Sequence, residues 1–238
     1  MKYSIFNLLF FIICALLAVV PNAYAQEGRL VERPPVLVEL FTAENCPACP
    51  PADAYFEQLA GAQSVLPLAC HITYFGKGQG GLERPFCTKR QKAYTGWQGR
   101  QKYFTPEMIV NGHTSLVGHQ TEKVAAALLN AQNDGVASIT VSPRTNGVYT
   151  IAVPAPSGGA AHNLWLVTYQ KRQDVLTRGG MKTYVNIAEN FLPLGPMTGA
   201  PVETRTVYPP FTAQSAGLIV AAQDQQTGAI RALGHYPL

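Results

Sequence analysis

Cys46-Pro47-Ala48-Cys49 constrains this chain more than any other stretch of it. The pair follows directly on the apolar run Val36-Leu37-Val38-Glu39-Leu40-Phe41 and precedes Pro50-Pro51-Ala52-Asp53-Ala54-Tyr55-Phe56, which reads as the opening of a helix. Two thiols held two residues apart at a strand-to-helix junction can form and break a disulfide without unfolding their surroundings. Three readings fit the motif: a redox dithiol, a zinc site completed by Cys70 and Cys87, and a plain structural staple. The preceding strand and following helix favour the redox dithiol. The wide separation of Cys70 from Cys87 counts against zinc, so neither a metal nor an organic cofactor is expected.

The compartment is read from the first 25 residues. Lys2 supplies a positive start, Leu8 to Val20 an almost unbroken apolar run, and Ala23-Tyr24-Ala25 a small-x-small cleavage site, the pattern of a secretory signal peptide over residues 1–25. The rival reading, an uncleaved anchor helix, is disfavoured by that cleavage site and by polar Gln26, Glu27 and Arg29 after it. A mature chain starting near Gln26 would be periplasmic or secreted. No later segment is long and apolar enough to span a bilayer, so no stable membrane insertion is expected after cleavage. Of the 5 cysteines, Cys14 leaves with the signal, and the even number remaining favours paired thiols in an oxidising compartment. A net charge of +4 is too small to argue for nucleic acid, least of all in an exported protein.

From Pro35 to about Asn133, strand-like and helix-like segments alternate. Val36 to Phe41 predicts a strand, and Ala52 to Ala60 a helix. Leu66 to Tyr74 predicts a strand with Leu68, Cys70, Ile72 and Tyr74 on one face. After a glycine-rich stretch, Gly76 to Gly81, Thr88 to Arg100 predicts a helix. Met108-Ile109-Val110 and Thr114 to Val117 predict a hairpin about Asn111-Gly112, and Thr121 to Ala131 a helix with Val124, Leu128 and Ala131 inward. Beyond Asp134-Gly135 only short strands and turns follow, near 137–142, 148–154, 163–170, 182–188, 202–208, 216–223 and 229–236. Strands so spaced predict a small β-sandwich. The chain is therefore expected to be α+β, with an α/β domain on a mixed sheet over 26–134 and an all-β sandwich over 135–238.

The first of these units resembles the thioredoxin fold, whose other hallmark is a cis-proline facing the dithiol. Thr105-Pro106-Glu107-Met108-Ile109-Val110-Asn111-Gly112 is similar to that segment. More specifically, Val38-Glu39-Leu40-Phe41-Thr42, the Cys46 to Ala54 segment, Arg90-Gln91-Lys92-Ala93-Tyr94 and Tyr103 to Gly112 are similar to a secreted bacterial thioredoxin-like family of unknown function. The likeness continues weakly through Arg178-Gly179-Gly180 and Tyr184-Val185-Asn186-Ile187. It implies a thioredoxin-like domain with an appended β-domain, and no particular substrate. Asn45 stands where thioredoxins usually carry tryptophan.

A helix starting close to Cys46 would stabilise its thiolate and make it the nucleophile, with Cys49 as the less exposed resolving thiol. Pro50 and Pro51, which carry no N–H, would instead place the helix start later and blunt that effect. Cys70 and Cys87 read as a structural disulfide that would pin the glycine-rich loop beside the dithiol, or else as a shuttle pair exchanging with it. The basic run Lys89, Arg90, Lys92, Arg100 and Lys102 reads as a solvated helix face. His71, His113 and His119 have no metal-ligand spacing, though they could approach the dithiol in three dimensions. Asp53 reads as a first-turn carboxylate, with a proton relay as the alternative.

Two functions follow as expectations. The leading one is an exported thiol–disulfide oxidoreductase acting on protein thiols and disulfides through Cys46 and Cys49, with a redox partner and with Thr105 and Pro106 presenting main-chain groups to an extended substrate. The alternative is a non-catalytic secreted binding module with structural disulfides. Whether such a protein oxidises, reduces or isomerises is set by its reduction potential, which residue identity alone does not fix.

Overall fold

The structure, a computed structural model, describes residues 33–155, 161–177 and 179–238. The expected signal peptide and Arg178 lie outside the described residues. Strand β1 (Val36–Thr42) is buried along its whole length, as suits a central strand covered on both faces. Its alternation divides two cores. Val36, Val38 and Leu40 face one cluster with Ala52 and Phe56 of helix α1 (Pro50–Leu59) and Val124, Leu128 and Ala131 of α3 (Thr121–Ala131). Leu37 and Phe41 face the other, with Leu66, Leu68, Cys70 and Ile72 from and beside β2 (Val65–His71) and Cys87 and Tyr94 of α2 (Pro85–Trp97). Helix α2 begins earlier than its sequence predicts, because Pro85 fits the first helical turn, where its missing N–H is no loss.

β1 runs parallel to β2 and antiparallel to β3 (Glu107–Val110), which returns through the Asn111-Gly112 turn to β4 (Thr114–Val117). Among the described residues eight further strands follow: β5 (Ala137–Ser138), β6 (Thr140–Pro143), β7 (Tyr149–Pro154), β8 (His162–Thr177), β9 (Gly180–Pro196), β10 (Val202–Val207), β11 (Ser215–Asp224) and β12 (Ile230–Pro237). One nine-stranded mixed sheet runs in the order β4-β3-β1-β2-β9-β8-β11-β12-β5, and β10-β7-β6 form a second, antiparallel sheet. Ile151 and Val153 of the small sheet pack on Leu164, Leu166, Leu218 and Val220 of the large one, which makes the sandwich.

The texture change at Asp134-Gly135 is not a break in the sheet. β2 meets β9 at Ala69↔Ile187, so strands from both sides of residue 134 share one sheet, and Arg33–Leu238 form one compact unit. β8 and β9 also run well past their apolar cores. Lys171 to Asp174 is polar, yet cross-strand pairing from Arg172↔Val185 to Thr177↔Gly180 keeps it extended.

Candidate functional site

Cys46 and Cys49 form a disulfide in the loop between β1 and α1, and Cys70 and Cys87 form a second one between the end of β2 and the first turn of α2. All four half-cystines belong to the same buried cluster. Cys46 is 2% exposed and Cys49 0%, so the difference in exposure expected between them is slight. Helix α1 opens at Pro50 with Cys49 as its N-cap. Pro50 and Pro51 carry no N–H, and the amides of Ala52 and Asp53 both donate to the Cys49 carbonyl at 2.9 Å. The helix terminus therefore lends Cys46 no free donors, which corrects the simple dipole argument and agrees with the proline objection to it.

The Thr105–Pro106 peptide bond is cis. Thr105 Oγ1 donates to the Phe41 carbonyl (3.2 Å), which ties this segment to the end of β1, and the Tyr74 hydroxyl donates to Thr105 Oγ1 (2.9 Å). The structure thus places Thr105 and Pro106 at the same end of the sheet from which the Cys46 loop departs.

Behind the disulfide lies a polar cluster that sequence reasoning undervalued. Thr42 Oγ1 donates to Asp53 Oδ1 (2.6 Å), while Asp53 Oδ2 is buried with no hydrogen-bond partner among the described residues. Both ring nitrogens of His71 and the Tyr184 hydroxyl are in the same condition, and the two rings meet edge to face with centroids 4.7 Å apart. Four of the five such orphaned atoms in the described chain are on these three residues, which is why the cluster stands out. Burial pushes the Asp53 carboxyl up to about 7, against the Thr42 hydrogen bond and the Lys182 charge, which lower it. Burial, helped by Arg84, pushes His71 down to about 3, so the imidazole is neutral at physiological pH. Burial first, then the Asp53 and Glu44 carboxylates, raises the Tyr184 hydroxyl. Asp53 follows Cys49 by one helical turn, on the same face of α1.

A second buried polar group sits across β1. Glu39, in the middle of the apolar run, pairs with Arg90 through two hydrogen bonds and accepts another from Tyr94. Gln223 accepts from Arg90 (3.1 Å) and Trp165 (2.9 Å) and donates to Tyr94 (3.1 Å), and the Arg90 guanidinium lies 4.1 Å above the Trp165 ring. Arg90 is therefore not part of a solvated face. Arg100 is likewise paired, with buried Glu107, whereas Lys89 and Lys102 are exposed. Beside this network a cleft of about 440 Å³ opens between Phe86, Trp97, Trp165 and Phe191, away from the dithiol. His113 bonds Asp134 and Thr114 and, with exposed His119, does not join the Asp53 cluster. No cluster of potential metal ligands and no helix long and apolar enough to cross a membrane occur among the described residues.

Residues 37–223 match a family model described as a protein of unknown function (DUF1223). No curated protein matches the chain. Among solved structures, a structural-genomics crystal structure of an Agrobacterium tumefaciens protein is similar, with TM-score 0.72 and 22% identity over 87% of this chain and 95% of that one. At that identity the likeness concerns the fold alone.

Proposed function

We propose that this chain, which belongs to the family of unknown function DUF1223, is an exported thiol–disulfide oxidoreductase with a thioredoxin-like N-terminal half. The observation that carries the reading is the Cys46–Cys49 disulfide at the β1–α1 junction, with the Thr105–Pro106 segment bonded to the same strand end and Asp53 behind it. Cys46 is the attacking thiol, because Cys49 is fixed as the helix N-cap while Cys46 stands in the loop. Its thiolate attacks a substrate disulfide, forming a mixed disulfide and releasing one substrate thiolate. Cys49 then attacks the Cys46 sulfur, closing the protein disulfide and releasing the second. Run backwards, the same steps oxidise a substrate dithiol. A carboxylate titrating near 7 one turn from Cys49 is suited to take its proton in the resolving step.

Cys49→Ser should accumulate reductant-sensitive mixed disulfides with exported proteins, and Cys46→Ser should accumulate few. The reverse pattern would make Cys49 the nucleophile, and no trapping by either would sink the mechanism. Against the rival binding module, the potential of the Cys46–Cys49 pair decides: a purely structural bond lies below about −300 mV and an exchanging one well above it.

A further inference from the structure

Exchange requires a thiolate to reach a sulfur atom, yet the Cys46–Cys49 pair is sealed. Hydrogen-bonded to the chain just before Cys46 is the glycine-rich segment 73–84, a compact loop whose two ends are tied together. The Thr73 amide donates to Thr88 Oγ1 (2.9 Å), the Arg84 amide donates to the His71 carbonyl (2.9 Å), and the Cys70–Cys87 disulfide closes the base. The far part of the loop is held differently, by the two residues just before Cys46. Glu44 accepts from the amides of Gly80 (2.8 Å, on Oε2) and Leu82 (3.2 Å, on Oε1), and Asn45 Nδ2 donates to the Lys77 carbonyl (3.0 Å). Contact is so close that a Cβ at residue 78 would stand 2.2 Å from Glu44 Cδ, and one at residue 80 would stand 2.6 Å from Val175 Cγ2. Leu82 is buried against Val175, Tyr184 and Ile187 of the β8–β9 hairpin. On the other side Tyr74 reaches Thr105, so the loop spans from the Cys46 side of the site to the cis-proline side.

We propose that segment 73–84 is a lid closed over the Cys46–Cys49 disulfide, that the Glu44 carboxylate is its latch, and that the β8–β9 hairpin is the platform it closes against. The base and the tip differ in kind. The base is covalently stapled and stays shut, whereas the tip is held only by non-covalent contacts, two hydrogen bonds to the Glu44 carboxylate, others from the Asn45 and Gln173 side chains and one buried leucine, which can release as a unit. This gives the C-terminal strands a part in the reaction: they hold the resting, closed form. The proposal rests on the reading of Cys46–Cys49 as an exchanging pair.

The test is the rate at which dithiothreitol reduces that pair in the intact folded protein. One thiolate of the reagent attacks a sulfur of the pair and its second thiol closes to the cyclic disulfide, leaving Cys46 and Cys49 as thiols, which are followed by alkylation and peptide mapping. Glu44→Ala removes both latch bonds and should raise the rate at least tenfold. Glu44→Gln keeps one acceptor and should fall between wild type and Glu44→Ala. Gly80→Ala wedges the lid off Val175, and crowds Glu44 Oε1 at 3.2 Å, while removing no charge, and should also accelerate reduction. Circular dichroism and an intact Cys70–Cys87 bond in each variant exclude general unfolding as the cause. Equal, fast reduction in all four proteins overturns the lid and leaves the exchange reading standing. Acceleration by Glu44→Ala but not by Gly80→Ala also overturns it, because the effect is then the loss of a negative charge two residues from Cys46. Resistance of all four proteins to native-state reduction sinks both the lid and the oxidoreductase.

Discussion

Two buried polar clusters lie on opposite faces of the sheet's N-terminal half, and they are built on opposite principles. In the Glu39–Arg90–Tyr94–Gln223 group each buried charge meets its counter-charge and each side chain has hydrogen-bond partners. In the Asp53–His71–Tyr184 group Asp53 Oδ1 accepts from Thr42, but Asp53 Oδ2, both His71 ring nitrogens and the Tyr184 hydroxyl are buried without partners among the described residues. A satisfied network resists change, since disrupting any member strands the others in a medium of low dielectric. An unsatisfied one keeps protonation states that are easily altered, with Asp53 near 7. The first joins α2 to β1 and β11 and reads as architecture. The second lies next to Cys49 and reads as chemistry.

Loss of Arg90 should have the largest effect. Arg90→Ala leaves the Glu39 carboxylate buried without its counter-charge, which should cost about 3–5 kcal/mol in denaturant unfolding. Replacing both partners with Leu and Met of similar volume should recover much of that loss, because no stranded charge remains. If Arg90→Ala costs under about 1 kcal/mol, the pair is not the structural tie described here.

Neither cluster could be seen whole in the sequence, for one physical reason. Periodicity reports which face of an element is buried, and it predicted the facing of Val124 and Leu128 on α3 and of Leu68 and Cys70 on β2. It does not report partners. Arg90 sits among Lys89, Lys92 and Arg100, and its burial is caused by Glu39, 51 positions away, and Gln223, 133 away. Likewise Asp53 in a first helical turn has an ordinary local explanation, and only its burial in the tertiary structure, which outweighs Thr42 and Lys182, shows otherwise. The Cys46–Cys49 pairing and the cis bond before Pro106 were legible because each is carried by contiguous residues. Glu39 inside an apolar run was the one local signal that passed unread: a charge on a fully covered strand requires a buried counter-charge.

The two disulfides divide in the same way between architecture and chemistry, with smaller effects. They join cysteines 3 and 17 positions apart, so in the chain-entropy account they contribute about 2 and about 3 kcal/mol respectively. Cys70→Ala with Cys87→Ala should lower stability by about 3 kcal/mol and loosen the position of the adjacent His71. Cys46→Ala with Cys49→Ala should lower it less while abolishing exchange. A larger stability loss from the Cys46–Cys49 pair would mean that this bond is the staple, and the assignment of roles would be inverted.

The smallest effect is the one that ties the unsatisfied cluster to the reaction. In the folded chain Asp53 keeps its proton up to about pH 7, against a usual value of 3.8 in the unfolded chain. Between those values the folded state binds the extra proton, so its stability falls as pH rises through that window and levels off above pH 7. His71 works the other way: held down to about 3 from 6.5, it removes stability as pH falls through that range. The two slopes oppose each other between about pH 4 and 6.5, and only a variant separates them. A shift of this size has a ceiling of about 4 kcal/mol, and allowing water to reach the ionised carboxylate leaves about 2 kcal/mol. Asp53→Asn keeps an acceptor for Thr42 and cannot ionise. It should therefore be more stable than wild type by about 2 kcal/mol at pH 8 and close to it at pH 4, measured by urea unfolding at each pH. In the same variant the mixed disulfide at Cys46 should form normally but resolve slowly, because Cys49 has lost its proton acceptor. Stability curves for the two proteins that run parallel across pH 4–8 would show that the Asp53 carboxyl is not held protonated. Unchanged resolution together with a changed stability curve would leave the cluster a cost of the fold with no part in the exchange.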